Sequence, residues 1–526
     1  NEQASIVLAK PILPKPIKHT LSKVDNSMVL ASVVFFIWVA FLFLKLKPSF
    51  SKQSSNNGRL PPGPKSLPII GNLHQLGETP HRSLTELAKT YGPLISLKFG
   101  SITTIVVSSS TVAKEMFQRH DLSLANRKVP AAVRANGHDL FSIAWLPICP
   151  KWRTLRKISA VHSLSKQRLD SSESFRQAKV VELLDYVKGC SESGEVVDVG
   201  KAAFTTSLNL LSNTFFSFDL ASHRSSDSGE FKELVWKIME EIGKPNLVDC
   251  FPVLRFVSSI SVNCQLMGYG NKLNEVFADI INQRLKAKVS DSAANDADVL
   301  DTLLRLMKDN DSELSLDDIK HLLMDFFTAG TDTTSSTLEW AMTELLHGPE
   351  KLTKAQAELE QALSKDNMLV QESDIPNLPY LQAIVKETLR MHPPTVFLLP
   401  RQADADVELY GYLVPKKSQI LVNLWAISRD PNTWENPDVF TPERFLGREI
   451  DMNGQDFGLI PFGSGRRICP GLTLAYRMLN LMLGTLIHAF NWKLANGLSP
   501  EDLDMKDKFG ITIQKAQPLL AIPISK

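Results

Sequence analysis

Paired cysteines are missing from this sequence. Its five, Cys149, Cys190, Cys250, Cys264 and Cys469, are odd in number, scattered and without a C-x-x-C among them. A disulfide framework and a structural zinc site are thereby disfavoured, and a reducing compartment fits. Charge of one sign is missing too: 58 Lys and Arg against 57 Asp and Glu leave +1 over 526 residues. That balance lacks the electrostatic footprint of a nucleic-acid binder, so no nucleic-acid partner is expected. Internal repeats are absent, and 26 Gly and 30 Pro are ordinary amounts beside 43% apolar residues, which excludes collagen-like and disordered chains. A convincing second-domain linker is also lacking. The chain therefore reads as one large catalytic domain, mainly α with small β-sheets, preceded by a separate N-terminal stretch.

One long hydrophobic run is present. Nineteen residues between Asp25 and Lys45 carry no charge, and Met28 to Leu44 are almost wholly apolar. As a helix they span roughly 28 Å, close to the hydrocarbon thickness of a bilayer, and no small-residue cleavage site follows as after a signal peptide. Residues 28–46 are expected to form a single-pass transmembrane anchor. Residues 1–27, which contain no methionine, read as a leader. With Met28 as the start, Lys45, Lys47, Lys52 and Arg59 all follow the anchor and favour a cytosolic body. Residues 47–72 are a polar linker leading into Leu60-Pro61-Pro62-Gly63-Pro64, whose fixed φ angles and missing N–H groups make a stiff hinge. The catalytic domain is expected over 73–526.

Within that domain, Leu94 to Phe99 and Thr103 to Val107 predict a hairpin, and Asp406 to Leu413 and Ser418 to Val422 further strands. Helical periodicity runs through 179–188, 231–242, 272–289, 316–346, 354–363, 380–391 and 472–490. The polar stretch Ser290 to Asp298 reads as a solvated loop.

The strongest chemical signal is Phe462-Gly463-Ser464-Gly465-Arg466-Arg467-Ile468-Cys469-Pro470-Gly471, running into an apolar helix. Glycines let backbone N–H groups approach a sulfur, and a following helix N-terminus lowers a thiol's pKa, so Cys469 is expected as a thiolate metal ligand. A lone thiolate beside arginine suits axial ligation of haem iron, with the arginine meeting a propionate. The alternative is a buried structural cysteine, as the other four are read.

This ten-residue stretch resembles the haem-binding signature of the cytochrome P-450 monooxygenases, and other stretches agree. Ala329-Gly330-Thr331-Asp332-Thr333-Thr334 matches that family's oxygen-activation motif, in which Asp332 and Thr333 would relay protons and Gly330 would let the helix open for a water. Lys386-Glu387-Thr388-Leu389-Arg390 and Pro442-Glu443-Arg444-Phe445 match its structural ion network of Glu387, Arg390 and Arg444. Trp152 and Arg156 match the Trp-x-x-x-Arg helix that touches the haem propionates, and Arg401, after Leu398-Leu399-Pro400, is assigned likewise. The resemblance thus implies haem b (iron protoporphyrin IX) held by Trp152, Arg156, Arg401, Phe462, Arg467 and Cys469. It further implies NADPH electrons from an NADPH-cytochrome P-450 reductase docking near Lys151, Arg153, Lys157 and Arg466. The microsomal type, with its anchor and hinge, implies the endoplasmic reticulum membrane.

Longer runs, among them Ala202 to Leu211, Thr395 to Arg401 and Asp502 to Met505, resemble plant family 76. They are most similar to its subfamily in betalain-producing plants, which hydroxylates L-tyrosine to L-DOPA, some members continuing to cyclo-DOPA. The stretch Asp325-Phe326-Phe327-Thr328 departs from that subfamily, which has an acid where Thr328 stands. Pocket positions implied by the match are Asn136, His138, Asp325, Phe326, Ala329, Val396, Phe397 and Leu398. A small phenolic amino acid needs an apolar wall and a charge partner. Asp325 is either an ammonium partner or a network aspartate. The competing readings are a hydroxylase of a monoterpenol or other terpenoid, a non-catalytic haem-binding protein, and an anchored scaffold without cofactor.

Overall fold

The structure, a computed structural model, describes residues 59–225, 227–244, 246–252, 254, 263–287, 298–308, 314–363 and 369–526. The leader, the anchor, the first part of the linker and all but Asp298 of the 290–298 loop lie outside the described residues. Among the described residues no helix is long and apolar enough to cross a membrane.

The long helix Leu316–His347 organises the rest. It begins with a reciprocal cap: Ser315 Oγ accepts the Asp318 N–H at 3.1 Å and the Asp318 carboxylate accepts the Ser315 N–H at 2.9 Å, satisfying two otherwise orphaned donors. It stops at Gly348, where Pro349 opens the next helix. It is buried on nearly all sides, from Leu322 and Phe327 to Trp340 and Leu345, polar residues such as Thr331, Asp332 and Glu339 included. Against it pack Val199–Phe216, Pro379–Met391 and Leu472–Ala489. Val199–Phe216 shows little periodicity in sequence because it too is buried around most of its circumference.

The helical expectations at 179–188, 231–242, 316–346 and 380–391 fall inside Glu173–Ser193, Asp227–Gly243, Leu316–His347 and Pro379–Met391. The remaining three overlap Asn263–Ala287, Pro349–Ala362 and Leu472–Ala489, of which the first begins nine residues and the second five residues before the expected start. The hairpin is β1 (Leu94–Phe99) and β2 (Ile102–Val107). With β3 (Asn126–Arg127), β4 (Arg401–Gln402) and β5 (Gln419–Val422) they form one sheet in the order β1-β2-β5-β4-β3. Only β2 and β5 run parallel. The segment Asp406 to Leu413 is not one strand. Val407–Leu409 turns back on Tyr412–Val414, because Tyr410 and Gly411 both take positive φ, the two-residue turn that matches strand twist.

Glu387 and Arg390 are fully buried in the helix Pro379–Met391. Glu387 accepts Arg390 Nε at 2.7 Å and Nη2 at 2.8 Å, Arg444 Nε at 3.0 Å and the Thr441 N–H at 2.7 Å. The surplus cation is met by backbone carbonyls: Arg390 Nη1 donates to Ser428 and Pro437, and Arg444 Nη1 to Glu435. Removing one member of such a set strands the others without partners in a poor solvent for charge. Glu387→Ala is expected to cost about 3–5 kcal/mol, read as a clear fall in the thermal unfolding midpoint, whereas Glu86→Ala, an exposed pair with Lys89, should leave it within about a degree.

Candidate active site

The long helix and the loop before Leu472–Ala489 enclose a cavity of about 330 Å³. Cys469 reaches it from a tight loop closed by its own N–H donating to the Phe462 carbonyl at 2.9 Å. Gly463 and Gly465 in that loop have φ of 75° and 68°, and a Cβ on Gly465 would sit 2.5 Å from Asp121 Oδ1. Both observations require glycine at position 465. Asp121 fastens the loop: it accepts the Arg466 N–H at 3.0 Å and Arg466 Nη1 at 3.3 Å, and Arg401 Nη1 at 3.4 Å. No sequence signal marked Asp121, since its partners lie hundreds of positions away.

The surroundings of the Cys469 thiol act on it in both directions. Burial pushes its pKa up, and the Gly471 and Leu472 N–H groups and Arg156, which favour the thiolate, counter this only in part. A cation bound at the sulfur would add to the groups that favour the thiolate.

Four guanidiniums line the same cavity: Arg127, Arg156, Arg401 and Arg467. Arg467 spends its donors on the carbonyls of Ala125, Ile143 and Leu146, Arg156 on Ile468, and Arg127 on Ala144 and Leu399. Arg401 Nε is buried with no acceptor. Burial, with mutual repulsion behind it, lowers Arg467 to about 9 and holds Arg127 well below its ordinary value. Arg401 is lowered to about 10 by burial, offset partly by Asp121. One carboxylate contacting this group leaves positive charge uncompensated, the complement of a dianion. Two propionates of haem b beside a sulfur ligand fit this set, with Arg127 as a member that sequence reasoning missed.

Trp152 does not join it. Its indole N–H donates to the Ile143 carbonyl at 3.0 Å, and its ring lies under Arg467, whose guanidinium carbon is 4.5 Å from the centroid. Trp152 backs Arg467 rather than lining the cavity, whereas Phe462 is on the wall. At the proposed docking face Arg153, Lys157 and Arg466 are exposed. Lys151 is instead tied to Asp318 at 2.7 Å and lies over the Phe141 ring.

On the long helix, Asp325, Phe326, Ala329 and Thr333 line the cavity. Thr333 Oγ1 donates to the Ala329 carbonyl at 2.6 Å. Asp332 points away from it, fully buried, its carboxylate accepting from Thr512 and Gln514. Gly330 lies in an unbroken helix rather than at an opening; a Cβ there would meet Leu211 Cδ1 at 2.9 Å, so close helix packing explains it. Thr328 carries no charge to the wall and donates back to the Met324 carbonyl.

Asp325 sits in a network. Its Oδ1 accepts Ser142 Oγ at 2.7 Å and meets His138 Nε2 at 3.0 Å, and its Oδ2 accepts the Ile143 N–H at 2.8 Å. His138 Nδ1 is 2.8 Å from His321 Nδ1. Three other pocket assignments are corrected. Asn136 is turned towards Gly270 of Asn263–Ala287, Val396 is buried with Trp425 and Ile513, and Phe397 packs on Phe509. Of Val396, Phe397 and Leu398, only Leu398 lines the cavity. Walls the sequence analysis passed over come from Leu210, Leu211, Ile238, Met239, Ile511 and Thr512, mostly apolar residues indistinguishable in sequence from core.

The family model described as Cytochrome P-450 matches residues 61–520. The chain is 75% identical to Cytochrome P-450 monooxygenase 76AD131 of Lophophora williamsii, over 95% of this chain and 99% of that protein. It is 59% identical to Cytochrome P-450 76AD1 of Beta vulgaris, over 94% and 99%. Identity to the geraniol 8-hydroxylase of Catharanthus roseus is 51%, over 91% and 97%.

Two outcomes are expected. Cys469→Ala should abolish the carbon monoxide difference band of a thiolate-ligated haem and all turnover; an active Cys469→Ala protein would remove the ligand assignment. His321 is held down to about 4 by burial first and then by His138. Its folded pKa lies below its ordinary 6.5, so the unfolded chain takes the proton first, and this group's share of stability is lost as pH falls from about 6.5 towards 4. His321→Gln should flatten that part of the stability–pH curve in denaturant titrations.

Proposed function

The chain belongs to the cytochrome P-450 family, and from that membership we propose that this family 76 monooxygenase hydroxylates L-tyrosine at ring position 3, giving L-DOPA. The observation that carries the substrate reading is the near-full-length identity to two 76AD proteins, 75% and 59%, against 51% to a geraniol 8-hydroxylase. Oxidation of L-DOPA onward to cyclo-DOPA, and a place in betalain formation, belong to the same reading.

The residues divide the work. Cys469 would ligate haem iron, and Arg127, Arg156, Arg401 and Arg467 would hold the propionates. When bound, haem supplies the centre at which dioxygen is activated with electrons from NADPH, passed on by a reductase that approaches the side bearing Arg153, Lys157 and Arg466. Phe326, Leu211, Ile238 and Met239 offer an apolar wall to a phenol ring and exclude water from it. Asp325 has given both acceptor positions of Oδ1 and one of Oδ2, which leaves one for an ammonium hydrogen. Thr333 presents a hydroxyl on the cavity side of the helix, where a proton is consumed. The anchor at 28–46 would hold the domain on the cytosolic face of the endoplasmic reticulum membrane.

Terpenol hydroxylation is the second reading, favoured by the largely apolar wall and by the geraniol 8-hydroxylase relative. Co-expression of the full chain with a plant reductase, followed by feeding L-tyrosine and mass spectrometry of products, decides between them. L-DOPA is expected. Untouched tyrosine with oxidised geraniol would move the assignment to terpenols and leave the monooxygenase in place.

A further inference from the structure

Asp332 and Thr333 are neighbours in sequence, yet the helix sends them in opposite directions. Thr333 lines the cavity, whereas Asp332 does not. A proton held on Asp332 therefore needs a route around the helix. The structure provides a hydroxyl on that route. Thr512, just before the strand Gln514–Lys515, lines the cavity and also donates to Asp332 Oδ2. Gln514 Nε2 donates to Oδ1 of the same carboxylate.

The position of Thr512 is set from both sides of the segment that carries it. The Ile511 N–H donates to the Met239 carbonyl at 3.1 Å and the Ile513 N–H to the Pro394 carbonyl at 2.8 Å. Ser336 Oγ, one turn along the long helix from Asp332, donates to the Ile513 carbonyl at 2.9 Å. Thr512 is thereby pinned between a buried acid and the reaction space. Burial keeps the Asp332 carboxyl above its ordinary value, countered partly by Thr512 and Gln514 and more weakly by Lys232.

We propose that Thr512 is the proton-conducting residue that connects Asp332 to the cavity. A hydroxyl has one donor and two acceptor positions, and its hydrogen rotates to suit its partners. With Asp332 ionised, the Thr512 hydrogen points at the carboxylate. With Asp332 protonated on Oδ2, the acid donates to Thr512 Oγ1 and the Thr512 hydrogen turns to the cavity. Delivery breaks the Thr512 O–H bond on the cavity side, that proton forming a bond to an acceptor oxygen in the cavity, and a new Thr512 O–H bond forms from the Asp332 proton. The carboxylate left behind takes its replacement from solvent water on the side of the half-buried Gln514. No net charge stays on Thr512.

The inference rests on monooxygenase chemistry and not on the identity of the substrate. Its test compares Thr512→Val, which removes the hydroxyl at constant shape, with Thr512→Ser, which keeps it. Coupling, the product formed per NADPH consumed, is measured in full-length holoenzyme with L-tyrosine, or with geraniol if wild type leaves tyrosine untouched. Thr512→Val should lose about tenfold in coupling, release the difference as peroxide and show a larger solvent isotope effect, with its carbon monoxide band intact. Thr512→Ser should stay within about twofold of wild type.

A substrate-free readout runs beside it. In acid-minus-neutral infrared spectra of the resting holoenzyme, the carboxyl band absent from Asp332→Asn belongs to Asp332. Losing a donor to the ionised form should bring that band out at higher pH in Thr512→Val. If the valine protein fails to retain haem, Thr512→Ala replaces it in both measurements. Wild-type coupling without the hydroxyl, a serine variant as uncoupled as the valine one, or an unmoved infrared band would each overturn the proposal.

Discussion

Uncompensated positive charge around one cavity is the constraint on which the rest of the structure depends. Arg401 and Arg467 are buried, Arg127 and Arg156 half-buried, and among the described residues Asp121 is the single carboxylate in contact with them. Guanidiniums cannot shed their protons to escape this, so the fold surrounds them with backbone carbonyls from the loops before and after β3 and from the Cys469 loop. Carbonyl dipoles orient these side chains without neutralising them. The site is thereby built for an anion, and a cofactor bearing two carboxylates and a metal that takes a sulfur ligand meets both demands at once. The raised pKa of the Cys469 thiol carries the same message: the polypeptide sets the geometry and leaves the last charges to the cofactor.

The long helix has a different job on each face. One face turns Phe326, Ala329 and Thr333 to the cavity. Another carries Asp332 and Ser336 against the C-terminal segment 511–514. Near its start, Asp325 and His321 hold the segment 138–143 through side chains and one backbone N–H. An aspartate that closes a loop by three hydrogen bonds is a strong constraint on cavity shape. It makes the shape of the cavity depend on polar contacts between the long helix and that loop. The Glu387, Arg390 and Arg444 set plays the corresponding part further from the cavity, joining the helix Pro379–Met391 to the loop around Pro437 and Val439.

Local chemistry was readable from the chain. The glycine-rich turn around Cys469 can be recognised because its requirements, positive φ, close approach and a helix following at once, all fall within ten residues. Long helices were readable where one face is polar, as in Asp227–Gly243, and not in Val199–Phe216, which is buried around most of its circumference. Trp152 and Arg156 share a helix and a motif, yet only Arg156 lines the cavity. Val396, Phe397 and Leu398 are consecutive, and only the last of them does; its positive φ of 52° marks the bend at which the chain changes direction.

What the sequence by itself determined is therefore the reaction class: one cysteine in a tight loop, an acid beside a hydroxyl on a helix, and matched runs placing the chain in family 76. Tertiary structure alone decided the partners. Asp332 meets Thr512 across 180 positions, Arg401 meets Asp121 across 280, and Arg127 enters a cluster that no motif marks. Such pairings are set by how buried helices and strands pack, and packing depends on shape summed over the whole core.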